Sequence, residues 1–333
     1  MDRSTPRWSP RTPARRAFAT TLARYAVAAL AGAAVPALAI DPIKLVVPYP
    51  AGGVTDQAAR VLAERMAQIL AQPIIIENRP GAGSRIGTMA VAQAAPDGNT
   101  LLFTNISFST LPLADRLVKY DPLKSFAPVG LAAVYGATVV VQPSVPAKNL
   151  QELVAYAKKN PGKLSYGSAG MGSGAHFVGE YFKALTGTYV VHVPYRSTVG
   201  ALSDVAGGQV DIAFDASAKG LIDAGKVRPL AIVGGQRDPR LPDVPTAAEA
   251  GIRGLDFNAW QGMLAPPATP KPVLEKLNRA MAAALQEPAT RKRYQDLGLV
   301  PVGGAPDRLT QQLRSDATLY RKVIEQARLK FDE

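Results

Sequence analysis

Short apolar runs rich in β-branched residues alternate with amphipathic helical stripes along most of this chain, and that alternation limits its fold more than any other feature. Residues 43–47, 74–76, 100–104, 138–141, 164–166, 189–193, 210–214 and 230–233 read as strands. Ala58, Leu62, Met66 and Ile69 form one helical stripe. Leu150, Leu153, Val154 and Ala157 form another, opened by the capping pair Asn149 and Glu152 and stopped by Pro161-Gly162. Near the C-terminus Leu309, Leu313, Ala317, Tyr320, Ile324 and Ala327 describe a long helix lying on the body. This order predicts an α/β protein with mostly parallel sheets.

The residue inventory removes many chemistries. With no cysteine there are no disulfides, thiolate metal sites or cysteine nucleophile. The two histidines, His176 and His192, are too few for a histidine-rich metal centre. No cofactor is expected.

The first 39 residues read as a targeting segment. Arg3, Arg7, Arg11, Arg15, Arg16 and Arg24 stand against Asp2, an apolar run follows from Tyr25 to Val35, and Ala37-Leu38-Ala39 supplies a cleavage signal. The apolar run is shorter than the ~20 residues that span a bilayer. Cleavage predicts an exported, periplasmic protein of 294 residues starting at Ile40, its net charge lowered from +12 to +7 by loss of six arginines and one aspartate. Both the general secretory and the twin-arginine routes fit Arg15-Arg16.

Three glycine loops follow strands and open helices: Pro48-Tyr49-Pro50-Ala51-Gly52-Gly53, Gly81-Ala82-Gly83-Ser84-Arg85-Ile86-Gly87 (leading to a helix near Met89), and Gly167-Ser168-Ala169-Gly170-Met171-Gly172-Ser173-Gly174. Glycine lets a ligand approach the backbone, and the first-turn N–H groups with the helix dipole favour an anion there. The same glycines also serve as tight turns. Ser168 and Ser173 lack the G-x-S-x-G context of a nucleophile elbow, no Walker A sequence occurs, and the loop at Gly81 is only close to a dinucleotide fingerprint.

Several ordered motifs resemble the extracytoplasmic solute receptors of the tripartite tricarboxylate transporters, the Bug family. They are Pro48-Tyr49-Pro50-Ala51-Gly52-Gly53 with Asp56, Glu77-Asn78-Arg79-Pro80-Gly81-Ala82-Gly83, Ala95-Pro96-Asp97-Gly98-Asn99-Thr100, Tyr166-Gly167-Ser168-Ala169-Gly170 with Gly172, Ser173 and His176, Val193-Pro194-Tyr195-Arg196, and Asp243-Val244-Pro245-Thr246. The resemblance implies a two-lobed type II periplasmic binding protein fold with a cleft between lobes. Residues 40–137 plus 257–333 would build one lobe and 138–256 the other. It implies a monomer that captures a small carboxylate (a di- or tricarboxylate, an acidic amino acid or an aromatic carboxylate) for membrane subunits of a transporter.

Carried over position by position, the resemblance places Tyr49, Gly52, Gly53, Thr55 and Asp56 at one carboxylate-holding loop, with Asp56 also readable as a helix N-terminal cap. Ser168, Gly172, Ser173 and His176 match the opposite wall, and Arg196 and Thr198 lie on a further cleft segment. Ser197 and the pair Ser84-Arg85 depart from the family pattern, and Arg85 would add positive charge if it faced the cleft. Asn105, Ser107 and Asp215 follow strands where α/β sheets place binding groups. Trp260 lies where the chain would cross back between lobes and is expected to report closure. The alternatives are an exported hydrolase or dinucleotide-dependent enzyme. A nucleic-acid binder is disfavoured because the basic residues are scattered.

Overall fold

The computed structural model describes Met1, residues 41–327 and Leu329; the leader call at 1–39 lies outside the described residues. Strand β1 (Ile43–Val47) is entirely apolar apart from Lys44 and buried on both faces, and it leads to helix α1 (Val54–Leu70). The chain continues through β2 (Ile74–Asn78), a 3-10 turn at Ala82–Ser84, α2 (Arg85–Ala92), β3 (Thr100–Asn105), α3 (Ser107–Ala114) and β4 (Ala127–Tyr135). It then forms β5 (Ala137–Val141), α4 (Leu150–Lys159), β6 (Ser165–Ser168), α5 (Gly174–Thr186), β7 (Val191–Pro194), α6 (Thr198–Ala206), β8 (Ile212–Asp215), α7 (Lys219–Asp223) and β9 (Arg228–Val233). The last elements are β10 (Ala259–Ala265), α8 (Lys271–Gln286), α9 (Pro288–Asp296), β11 (Val300–Pro301) and α10 (Asp307–Ala327).

Two sheets result, with strand orders β11-β4-β10-β3-β1-β2 and β7-β6-β8-β5-β9. They are mixed rather than mostly parallel. β1 pairs in parallel with β2 and β3, and β6 with β7 and β8, but β10 lies antiparallel to both β3 and β4, and β5 antiparallel to β8 and β9. The reason is connectivity: the chain leaves the first sheet through β4 and returns to it through β10, so these neighbours run in opposite directions. At the first crossing Gly136 is required by close approach, since a Cβ there would lie 2.7 Å from Ile232 Cγ2 and 2.9 Å from the Val233 carbonyl oxygen.

One core packs α1, α8 and α9 on a face of the first sheet through Leu62, Met66, Phe103, Met263, Met281 and Tyr294. A larger one runs from the other face, through Leu102, Phe108 and Trp260, to Val139, Tyr166 and Phe214 of the second sheet. Helix α10 carries the C-terminal apolar stripe expected to lie on the body, with Leu309, Leu313 and Tyr320 buried. It packs on β4 and α3 and also on α5 of the second sheet, where Phe177 and Tyr320 rings lie 5.2 Å apart. Its apolar stripe therefore joins both halves.

Candidate functional site

The expected binding residues fall into two groups, each at the carboxyl ends of strands. In the first group Tyr49, on the loop after β1, donates its hydroxyl to Asn105 Oδ1 at 2.7 Å. Asn105 closes β3, accepts the Ser107 N–H at 3.0 Å and donates through Nδ2 to Thr55 Oγ1 at 3.1 Å. Tyr49, Thr55, Asn105 and Ser107 are thus one connected cluster. Burial raises the Tyr49 phenol above its ordinary range against hydrogen bonds from Thr104 and other neighbours, so it stays protonated and donates.

Asp56 differs from its expected cap role. Gly53 is the N-cap of α1 and supplies no side-chain hydrogen bond, which leaves the first-turn N–H groups of a 17-residue helix without a side-chain cap. Asp56 sits three residues beyond that N-cap and folds back instead. Its Oδ2 accepts from Gly52 N at 2.8 Å and Arg60 Nε at 2.9 Å, and its Oδ1 from Asn78 Nδ2 at 2.9 Å. Burial raises its carboxyl, but the hydrogen bonds from Arg60, Gly52 and Asn78 outweigh that and hold it below the usual carboxylate range. An ionised Asp56 so enclosed, only 1% exposed, shapes the Gly52-Gly53 loop and presents nothing to a ligand. Asn78 and Arg60, the partners in this latch, were not singled out from sequence.

The second group surrounds the loop after β6. Ser173 is the N-cap of α5 and accepts from His176 N at 3.3 Å, while its hydroxyl donates to Gly170 O at 2.7 Å. Ser168 Oγ lies 2.7 Å from His192 Nε2 and accepts from Gly170 N at 3.1 Å. His176 corrects the expectation of a ligand-facing imidazole: it is 3% exposed, its ring lies 4.5 Å from that of His192, and its Nδ1 accepts from Gly172 N at 3.3 Å. It braces the loop from behind. Burial, with His192 beside it, lowers His176 to about 4, so the imidazole is neutral at physiological pH and can accept that N–H. Ser168 and His192 form a serine–histidine pair, and Gly170 holds the Ser168 Oγ inside the loop, with its N–H at 3.1 Å and its carbonyl oxygen at 3.2 Å.

Thr198 opens α6, and Asp215 ends β8. Burial raises the Asp215 carboxyl against hydrogen bonds from Ser217 and Thr198, which brings these two expected residues together. Arg196 is exposed on the turn before α6. Arg85 corrects another expectation, because its Nη1 pairs with Asp115 Oδ2 at 2.9 Å across to the end of α3. The local charge is already compensated.

Two features relate the groups. Thr110 of α3 donates its hydroxyl to the Gly172 carbonyl. At φ +77° Gly172 is in the left-handed region, and a Cβ there would lie 2.7 Å from Ala114 Cβ, so only glycine lets the second loop close on α3. Tyr135, at the end of β4, is raised by burial and further by electrostatic coupling to Asp215 and to the Tyr49 phenol, one from each group. A separate pocket lined by Gly136, Gly235, Arg237, Asn258 and Gln312 lies at the crossing segments and contains none of the expected residues.

The arrangement offers hydroxyls, amides and uncapped helix N–H groups, suited to gripping an anion without a paired cation. Among the described residues no group of three or more His, Asp or Glu could hold a metal ion.

The family model described as tripartite tricarboxylate transporter family receptor matches residues 58–329. The chain belongs to this receptor family. Its two-sheet architecture is that of the periplasmic binding protein BugD, which is 36% identical with a TM-score of 0.79 over 87% of this chain and 98% of that one. A Rhodopseudomonas palustris protein solved with adipate is 33% identical, TM-score 0.81, covering 86% of this chain and 97% of that one. MatC from Rhodopseudomonas palustris, solved with bound malate, is 35% identical, TM-score 0.78, covering 85% and 98%. The receptor is therefore a two-lobed periplasmic binding fold with a cleft between lobes. The relatives are binding proteins.

Proposed function

We propose that this receptor is exported, that its leader 1–39 is cleaved, and that as a monomer in the periplasm it captures a small carboxylate without altering it and hands it to the membrane subunits of a transporter. The lobes are residues 40–137 plus 257–333 and residues 138–256, and the solute lies between them. The observation that carries this reading is the pair of loops after β1 and β6: one opens α1 with N–H groups that no side chain caps, and the other is braced by His176 and Ser168.

In the proposed complex, Gly53 and Thr55 hold one carboxylate by backbone and hydroxyl donors at the turn that Gly52 forms, with Tyr49, Asn105 and Ser107 fixing the loop. Gly172, Ser173 and Thr198 meet the solute from the other lobe. Charge-assisted hydrogen bonds contribute about 1.5–3 kcal/mol each, enough for several donors to hold an anion without a salt bridge. The bound malate and adipate of the two relatives support a carboxylate as the solute class. Among the described residues no helix is long and apolar enough to cross a membrane. N-terminal sequencing of the periplasmic fraction tests the leader: a start at Ile40 is expected, and a start at Met1 would refute cleavage. Incubation with stoichiometric solute should return it unchanged.

A further inference from the structure

Gln261 occupies the middle of β10 and is wholly buried, yet neither its Oε1 nor its Nε2 has a hydrogen-bond partner in the protein. A buried primary amide with both ends unpaired is rare, because each end loses its water on folding and regains nothing. A methionine would fill the same volume without that loss. The amide calls for an occupant outside the protein's own hydrogen bonds.

Its position says which site that occupant belongs to. In the antiparallel ladders Gln261 is opposite Asn105 of β3 and Ala133 of β4. Residues directly opposite in such a pair share a face, with Cβ atoms about 4.5–5.5 Å apart. That face is the one covered by α1, whose Thr55 hydroxyl accepts from Asn105 Nδ2. Asn105 Oδ1 is already taken by Tyr49 and Ser107. Within this cluster the Asn105 amide is engaged at both ends, whereas the Gln261 amide has both ends still to be satisfied, at the carboxyl edge of β3 beside the N-terminus of α1.

Resting on the receptor reading above, we propose that Gln261 is a specificity-determining residue of the solute site and that it selects carboxylates carrying a hydroxyl on the adjacent carbon. A plain carboxylate accepts from Nε2 and leaves Oε1 unpaired. A hydroxyl beside the carboxylate donates to Oε1 while the carboxylate takes Nε2, so one solute end satisfies both. An ammonium at the same carbon would bring a full charge, and Asp56, the carboxylate in the first turn of α1, is held by Arg60.

The test is titration calorimetry on wild type and Gln261→Met with two matched pairs, malate against succinate and citrate against tricarballylate. Wild type should prefer the hydroxylated member of at least one pair by tenfold or more, and the variant should shrink that preference below threefold. The thermal midpoint of the solute-free variant should be equal to or above wild type, because an unpaired amide has been removed. An unchanged preference in the variant, or none in wild type, overturns the assignment. So does silence of all four while another carboxylate binds. Silence of every carboxylate would instead overturn the receptor reading itself. If Gln261→Met fails to fold, Gln261→Leu supplies the same comparison, since it also removes both the Nε2 donor and the Oε1 acceptor and should likewise shrink the preference below threefold.

Discussion

The indole Nε1 of Trp260 donates to Asp316 Oδ2 at 2.7 Å, tying the returning strand β10 to helix α10 inside the core. Trp260 is wholly buried, edge-on to Phe108 at 6.5 Å, and Asp316 also accepts from Gln312 Nε2 at 2.8 Å. The tryptophan is thus packed in the core instead of lying on a surface that opens and closes. Asp316→Leu should leave the indole N–H unpaired and cost about 1–3 kcal/mol. Chemical denaturation should show that loss. Quenching of Trp260 emission by acrylamide should stay low in the exported wild type with or without bound carboxylate, and a solute-dependent rise would restore the expectation that Trp260 reports closure.

The Asp56 latch has a separable role. Asp56→Ala frees Gly52 N and Asn78 Nδ2 and removes the partner of Arg60, a loss of about 1–3 kcal/mol for the buried donors. The half-exposed Arg60 adds little, as solvent screens it. Because the loop loses its shape, carboxylate affinity should fall along with stability. Arg60→Met should lower stability less and leave affinity within severalfold, which titration can separate.

His176 gives a pH dependence of known sign. Its folded value, about 4, lies below that of a free histidine, so between about pH 6.5 and 4 the unfolded chain binds more protons than the folded one. Stability from this group is therefore present at neutral pH and is lost as pH falls through that window. Protonation also removes the acceptor that holds Gly172 N. Denaturation midpoints measured from pH 7 to 4.5 should fall less steeply in His176→Phe than in wild type. Parallel curves would show that His176 does not titrate on unfolding.

Much of the scaffold was legible because it is written in runs of one residue type. Strand β1, 43–47, is a fully buried Ile/Val/Leu segment around Lys44, and α4 carries its cap at Asn149, which accepts from Glu152 N as the sequence implies. Strands β4 and β10 were not legible. Their sequences are rich in alanine and glycine because helices press on both faces: a Cβ at Gly130 would lie 3.2 Å from Met281, and one at Gly262 would lie 3.2 Å from Leu309. Small residues chosen for close packing carry no strand periodicity.

At the site, the glycine loops announced themselves, but side-chain direction did not. Whether His176 looked outward or propped the Gly172 backbone depended on the turn at Gly172, and whether Arg85 faced the cleft depended on Asp115, 30 residues away. Gln261 gave no signal in sequence at all, since its significance lies in the register that sets it opposite Asn105.

The central claim is that the loops opening α1 and α5 grip a carboxylate, and thermal shift with matched acids and amides tests it most directly. A solute that binds only the folded state adds about 2.7 kcal/mol at a hundredfold excess over its Kd. For a chain of this size each kcal/mol moves the midpoint by roughly 2 °C, so a true solute should raise it by several degrees. Di- and tricarboxylates, acidic amino acids and aromatic carboxylates should include at least one such solute, and its neutral amide should be silent. A sugar or neutral amide giving the largest shift, with every carboxylate silent, would contradict the account.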